Sequence, residues 1–266
     1  MTARAREALE LCDLVCCEDT RVTGKLLSAL GIRKSLERLD EASIANKADR
    51  VLDRVAADEL VCYCSDAGMP GVSDPGQRLI ARAYERNLAV EVLPGATAVV
   101  TAYVASGFTA PNFYFGSFFP RKAGERKALL DSLTTLDAVL VFYESPQRIV
   151  SALEVIAEVF PLRMIAVCRE LTKLHEEVVR GKVTEVAQVF AARAQEGQIK
   201  GEIVLVIDAP NAEELQMRNS VEKQDATACA RRLLEEGALS KKEIVSHLRE
   251  LYGLSRNDAY EIVHSA

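Results

Sequence analysis

The feature that most limits how this chain can fold is an alternation. Short apolar runs are separated by amphipathic stretches of helical period, and each run ends at a cluster of Gly, Pro or charged residues. Parallel strands need a long crossover between them, usually a helix. The alternation therefore points to an α/β fold with helices covering a parallel sheet. In the first half the reading is helix over 2–12, strand over 14–17 and helix over 24–30, stopped by Gly31 at the C′ position. It continues with helix over 43–57, strand over 59–65, helix over 76–86 and strand over 89–93. After Pro94-Gly95 comes a helix rich in Ala, Val and Thr that runs to residue 106. A β-α-β order also expects a strand ahead of the first helix, and the chain opens on the helix instead.

Residues 113–120 read as an aromatic crossover ending at Pro120. The stretch Arg121-Lys122-Ala123-Gly124-Glu125-Arg126-Lys127 after it is basic and expected to be mobile. The second half alternates again, with helix over 123–134, strand 137–143, helix 146–159, strand 163–168, helix 183–194 and strand 202–208. Its last run is nearly all apolar, as a strand buried on both faces must be. A polar, acidic linker is expected over 210–224, then three short helices. Ser240-x-x-Glu243 has the form of a capping box and Ser255-x-x-Asp258 is a weaker relative, with Gly237 and Gly253 just before them. These readings divide the chain into an α/β domain over 1–116, a second over 117–212, and a linker with helical tail over 213–266.

Composition removes several function classes. No apolar run approaches the ~18–20 residues of a membrane span, and no signal-peptide core opens the chain, so a cytoplasmic protein is expected. The net charge of −6 leaves no global footprint for nucleic acid. RNA contacts must then come from local basic groups: Arg121, Lys122, Arg126 and Lys127, and in the tail Lys241 and Lys242. Seven cysteines, an odd number without regular spacing, argue against a disulfide framework. Cys62-Tyr63-Cys64 has no paired His or second Cys pair to complete a tetrahedron, so it reads as small hydrophobes on a strand, and no metal is expected.

The strongest candidate site is the loop Ser65-Asp66-Ala67-Gly68-Met69-Pro70-Gly71-Val72-Ser73-Asp74-Pro75-Gly76, which follows a strand. Glycine lets backbone approach a ligand and proline fixes its path. Loops at the carboxyl ends of parallel strands are where α/β proteins bind ligands. The string is neither a dinucleotide fingerprint nor a P-loop. Leu93-Pro94-Gly95-Ala96-Thr97-Ala98 is a second strand-end turn whose N–H groups face the same edge. Glu18-Asp19-Thr20-Arg21 supports two readings: a polar site carrying a base, or a helix N-cap with a local ion pair. Tyr143-Glu144-Ser145-Pro146, Arg169-Glu170-Leu171-Thr172-Lys173 and Lys200-Gly201-Glu202 are charged strand-end turns, ambiguous one by one.

In this order, these strings resemble the bacterial 16S rRNA cytidine 2′-O-methyltransferases, a family within the tetrapyrrole-methylase-like superfamily. The resemblance covers nearly the whole chain. It implies a two-domain α/β fold with a small C-terminal helical domain, S-adenosylmethionine (SAM) in the cleft between the domains, and a homodimer. It further implies methylation of a ribose 2′-hydroxyl on a decoding-region cytidine of 16S rRNA within the small ribosomal subunit. The cofactor contacts it suggests are Ser65, Asp66, Ala67, Gly68, Met69, Val72, Ser73, Asp74, Pro94, Gly95, Thr97, Ala98, Tyr143, Leu171, Gly201 and Glu202. Two departures stand out. The chain starts at the helix that follows the family's Thr-Pro-Ile-Gly-Asn-Leu-type loop, and Met69 occupies a position where the family carries Thr.

A ribose 2′-hydroxyl is a weak nucleophile, helped by a base or by a cation that steadies the forming alkoxide. Asp19 and Glu170 are the candidate bases, with Arg21 and Lys173 as electrostatic partners. His175, His247 and His264 fall outside the motifs. Two other readings stay open here: the same fold acting on a tetrapyrrole or other small molecule, and a non-catalytic SAM-binding protein.

Overall fold

The computed structural model describes every residue except 198 and 238, and for 218–223 the backbone alone. Strand β1 (Leu14–Cys17) is the centre of a three-stranded sheet, flanked by β2 (Leu36–Arg38) and β3 (Val61–Cys64), all parallel. Side chains of β1 alternate between the two faces of the sheet. Leu14 and Cys16 pack with Ile44, Val51 and Leu52 of α3 (Ile44–Ala56) and with Leu79 of α4 (Gly76–Glu85). Val15 packs on the other face with Leu9 of α1 (Ala3–Leu11) and Leu27 of α2 (Thr20–Ala29). Helices thus cover both faces, as the alternation requires.

The second sheet has five strands in the order β4 (Phe113–Phe118), β5 (Val139–Glu144), β8 (Ile203–Ile207), β6 (Met164–Arg169), β7 (Glu177–Lys182). Only β4 and β5 are parallel, and the other three pairings are antiparallel. β8 is central and buried along its length, which explains its unbroken apolar run. Leu140, Phe142 and Leu205 face α6 (Ala123–Ser132), α7 (Ile149–Val159) and α8 (Val183–Gln195), which contribute Leu130, Leu153, Ile156 and Phe190. Val139, Val141, Ala166, Cys168 and Val206 face α5 (Ala98–Ser106).

Several expectations change. Residues 113–118 are a strand, not a crossover, so the expected division at 116/117 falls inside β4, and the change of sheet comes between α4 and α5. Residues 89–93 form no strand and pair with no ladder among the described residues. β2 and β7 went unread: β2 is Leu-Glu-Arg, and β7 is an edge strand whose residues alternate between half-buried and exposed. The basic stretch after Pro120 is the entry to α6 rather than a mobile loop.

The expected linker is the first part of α9 (Ala212–Glu236), 25 residues long. Asn211 caps it by accepting from the Glu214 N–H, and Glu213 and Glu214 in the first turn suit the positive end of the helix dipole. Its anchor is polar: fully buried Arg163 pairs with Glu214 at 2.6 Å. That is why a hydrophobic pattern did not disclose the helix. α9 packs with α10 (Lys241–Tyr252) and α11 (Arg256–Ser265) around Ala226, Ala230, Ile244, Leu248, Ala259 and Val263. Ser240 and Glu243 form the expected reciprocal cap, Ser255 caps α11, and Gly237 and Gly253 end their helices in the left-handed region. Among the described residues no helix is long and apolar enough to cross a membrane.

Candidate active site

Cys17 and Cys64 are register partners, so the residues after β1 and β3 emerge side by side. They are tied together: the Asp66 N–H donates to Glu18 Oε1 at 3.1 Å, and the Asp19 N–H donates to Asp66 Oδ1 at 3.1 Å. Asp19 also caps α2. Its carboxylate accepts from the Arg21 N–H at 2.8 Å and from the Arg21 guanidinium at 2.5 Å. The cap-and-ion-pair reading of 18–21 therefore describes the geometry. Arg21 holds the Asp19 carboxyl well below the usual range. Glu18 moves the opposite way. Burial raises it first; Asp74, Asp66 and Asp40 add to the rise, against the hydrogen bond from Asp66.

The loop 65–76 is organised from within. Both oxygens of Asp74 accept from the Gly71 N–H at 2.8 Å, and Oδ1 accepts from the Gly76 N–H at 2.8 Å. Asp66 and Asp74, expected to hydrogen-bond the ligand, thus already spend oxygens on holding the site together. A Cβ on Gly76 would stand 2.9 Å from Asp74 Oδ1 and 3.0 Å from the Tyr63 ring, so a side chain there would push Asp74 off its bonds. Gly68 lies against the 94–97 turn, its missing Cβ 3.7 Å from the Ala96 carbonyl.

The same loop reaches the second sheet. Ser73 Oγ and Ser117 Oγ of β4 are 2.8 Å apart, and both residues have left-handed backbone. Val72 joins the apolar cluster that includes Tyr143 and Leu171. Tyr143 packs in the same cluster as Val99, in the first turn of α5, one residue past Ala98. Burial is the main cause that pushes this phenol above its ordinary value. Thr97, at the N-cap position of α5, makes no side-chain cap bond.

Glu144 and Arg169 are both opposite Ile203, so the ends of β5 and β6 and the start of β8 share one edge. There the Glu170 N–H donates to the Glu202 carbonyl at 3.0 Å, and the Glu202 N–H donates to Glu170 Oε1 at 2.9 Å. Lys173 Nζ donates to Glu170 at 2.9 Å and to Glu202 at 3.1 Å. Lys173 lowers the Glu170 carboxyl, and Glu170 and Glu202 raise Lys173. Gly201, at φ +89°, is pressed against Glu170 so closely that a Cβ would overlap that side chain. Arg169 donates to the Lys200 carbonyl at 2.9 Å and pairs with Glu177 at 2.7 Å.

The basic stretch divides. Arg121 and Lys122 are exposed, and Lys122 pairs with Glu125 at 2.9 Å. Lys127 is exposed and pairs with Glu158. Arg126 is corrected: it is 2% exposed and turns inward. Its Nε donates to the Pro120 carbonyl at 2.7 Å, Nη1 to Ser151 Oγ at 2.9 Å and Nη2 to Glu144 at 3.4 Å. Glu144, which pairs with Arg148 at 2.5 Å, and Ser117, bonded to Ser73, are site-shaping residues that sequence reasoning missed. Glu144 stood inside a quoted motif, and Ser117 was hidden by reading β4 as a crossover.

The motif strings therefore meet at one place: two sheet edges joined by the 65–76 loop, with an apolar floor of Val72, Tyr143 and Leu171 and charged groups at each end. Two hollows lie elsewhere, one of about 360 Å³ beside α9 and one of about 270 Å³ between α3 and α4. Neither contains a motif residue.

Comparison with known proteins fits this arrangement. Residues 1–187 match the family described as Tetrapyrrole (Corrin/Porphyrin) Methylases. The protein named ribosomal RNA small subunit methyltransferase I of Streptococcus pyogenes serotype M1 is 33% identical over 265 residues, which cover 99% of this chain and 90% of that one. Its namesake from Halalkalibacterium halodurans is 34% identical with the same coverage. Among solved structures, the methyltransferase CobJ aligns with a TM-score of 0.58 at 18% identity over 79% of this chain and 88% of its own. A uroporphyrin-III-C-methyltransferase from Thermus thermophilus aligns with a TM-score of 0.55 at 20% identity over 78% and 87%. These two likenesses speak to the fold. With the family match over residues 1–187 and relatives a third identical along almost its whole length, the chain belongs to the tetrapyrrole methylase family.

Proposed function

We propose that this chain is a SAM-dependent methyltransferase that modifies the ribose 2′-hydroxyl of a cytidine in the decoding region of 16S rRNA. It would act on the small ribosomal subunit as a cytoplasmic homodimer. The observation that carries the reading is the gathering of all the motif strings at one double edge, in a chain whose full-length relatives are named for the small-subunit rRNA. The residues present suit SAM. Its adenine needs a half-buried apolar floor, which Val72, Tyr143 and Leu171 supply. Its ammonium and sulfonium are cations, and Glu18, Asp66 and Asp74 form an acidic cluster at one end. Ser65, Ala67, Gly68, Met69, Ser73, Pro94, Gly95, Thr97, Ala98, Gly201 and Glu202 would hold it mainly through backbone groups.

When bound, SAM supplies an electrophilic methyl group on a leaving thioether. The work left to the protein is alignment and exclusion of water, and alignment can contribute ~7–11 kcal/mol. The hydrogen-bonded loop 65–76 and the interlocked Glu170–Glu202 turns provide rigid walls for it. Lys173 lowers the Glu170 carboxyl, which favours its anionic form, and Lys173 Nζ places a cation beside it. In this reading Glu170 accepts the hydroxyl proton at a carboxylate oxygen, while Lys173 steadies the developing alkoxide. Asp19, already bound by Arg21, serves the opposite end. Incubation with labelled SAM and either intact small subunits or a porphyrinogen decides between substrates. Label on the subunits alone supports the proposal, and label on the porphyrinogen alone moves the substrate class to tetrapyrroles.

A further inference from the structure

We infer that Phe118 is a stacking platform for the substrate RNA: an unstacked nucleobase near the target ribose lies on its ring, and Arg121 and Lys122 take the adjoining phosphates. The inference rests on the RNA substrate proposed above.

Phe118, the last residue of β4, and Phe119 just after it have opposite fates. Phe119 is 1% exposed, in the core against Phe142, whereas Phe118 is 59% exposed. The cause is local. The β4–β5 ladder is irregular between Phe115 and Phe118, so Phe118 rather than Ser117 stands opposite Tyr143. Ser117 absorbs the irregularity with a left-handed backbone at φ +59°. An extra residue of this kind re-aims a side chain next to a site.

The backbone around the exposed ring is held on both sides. Ser117 Oγ bonds Ser73 Oγ at 2.8 Å, the Phe119 N–H donates to the Tyr143 carbonyl at 2.9 Å, and the Pro120 carbonyl accepts from buried Arg126. The Phe118 ring meets Tyr143 in a T-shaped contact at 5.3 Å, which fixes its place beside the proposed cofactor floor. A large aromatic ring on a fixed backbone, left in solvent at the site, matches what single-stranded RNA recognition uses. Splayed bases stack on aromatic side chains, and the attraction tolerates any base because each has a π-face. The charge agrees. In a chain of net charge −6, two exposed cations follow the ring within four residues, and among the described residues Arg121 makes no ion pair. Phosphates beside a stacked base would meet them there.

The test uses the full chain as wild type, Phe118→Ala, Phe118→Leu and Phe118→Trp. It measures kcat and KM for intact small subunits with labelled SAM, the SAM dissociation constant by calorimetry, and Tm. Loss of one base stack should raise the KM for subunits about tenfold or more in Phe118→Ala. SAM affinity and Tm should stay at their wild-type values, Phe118→Trp should restore KM, and Phe118→Leu should not. An unchanged KM in Phe118→Ala, on subunits the wild type does methylate, overturns the inference. So does an equal loss of SAM affinity, which would make the ring part of the cofactor wall, and so does full rescue by leucine, which would make the contact merely apolar. Wild-type protein that leaves subunits unlabelled is a different failure: it removes the substrate reading and the inference with it.

Discussion

Replacing Arg126 by alanine separates an architectural role from an RNA-binding one. The guanidinium is almost wholly buried and makes three contacts, to the Pro120 carbonyl, Ser151 Oγ and Glu144. Removing one partner of a buried ion pair usually costs about 3–5 kcal/mol, because the other charge is left buried without it. Here the low end applies. Glu144 would keep Arg148 at 2.5 Å and the Ser145 N–H at 2.7 Å, so its charge stays compensated. At roughly 2–4 °C per kcal/mol for a protein of this size, a loss of about 3 kcal/mol lowers Tm by about 6–12 °C. Thermal melting by circular dichroism and urea titration measure this, and the urea midpoint should fall without a change in slope. Arg126→Lys should fall between, since an ammonium keeps the charge but cannot span the fork of contacts. A wild-type Tm together with weakened RNA binding would refute the reasoning and return Arg126 to the surface.

Three further outcomes follow from the site. Gly201→Ala places a side chain at φ +89° where it overlaps Glu170, costing about 1–2 kcal/mol of backbone strain and displacing the Glu170–Glu202 contacts; calorimetry should register weaker SAM binding, and unchanged affinity would remove this turn from the cofactor site. Glu18→Gln should gain stability over wild type as pH rises. A carboxyl raised in the fold stabilises below its ordinary value of 4.5 and loses that contribution as pH climbs through the raised value, whereas glutamine does not titrate; parallel Tm-against-pH curves would contradict this. Lys173→Met removes the main influence that lowers Glu170, so the acid limb of the kcat/KM profile should move to higher pH, and an unmoved limb would exclude Glu170 as the base.

How legible the fold was depended on where the stabilising apolar surface sits. β1, β3, β5, β6 and β8 announce themselves as apolar runs, and the caps at Ser240 and Ser255 were plain because the capping residues are specific. β7 was not legible, since an edge strand buries only alternate residues and carries charge between them. α9 hid for a related reason: its anchor is the buried Arg163–Glu214 pair, and composition cannot tell such a pair from a solvated one. In the site, the strings were visible but their division of labour was not. Asp74 reads as a ligand contact and also organises its own loop, while Arg126 reads as a surface cation and is buried. Sequence shows that a charge is present and not which way it faces or what else it holds. The Ser73–Ser117 bond, which joins the two halves, crosses 44 residues and left no local trace.

Mapping the modified nucleotide tests the central claim most directly. Small subunits lacking the modification are incubated with the protein and isotopically labelled SAM, and the rRNA is digested and read by mass spectrometry. The expected result is one labelled methyl group on the ribose 2′-oxygen of a decoding-region cytidine. A label on a base, on another nucleotide of the 16S rRNA, or on no RNA at all would contradict it.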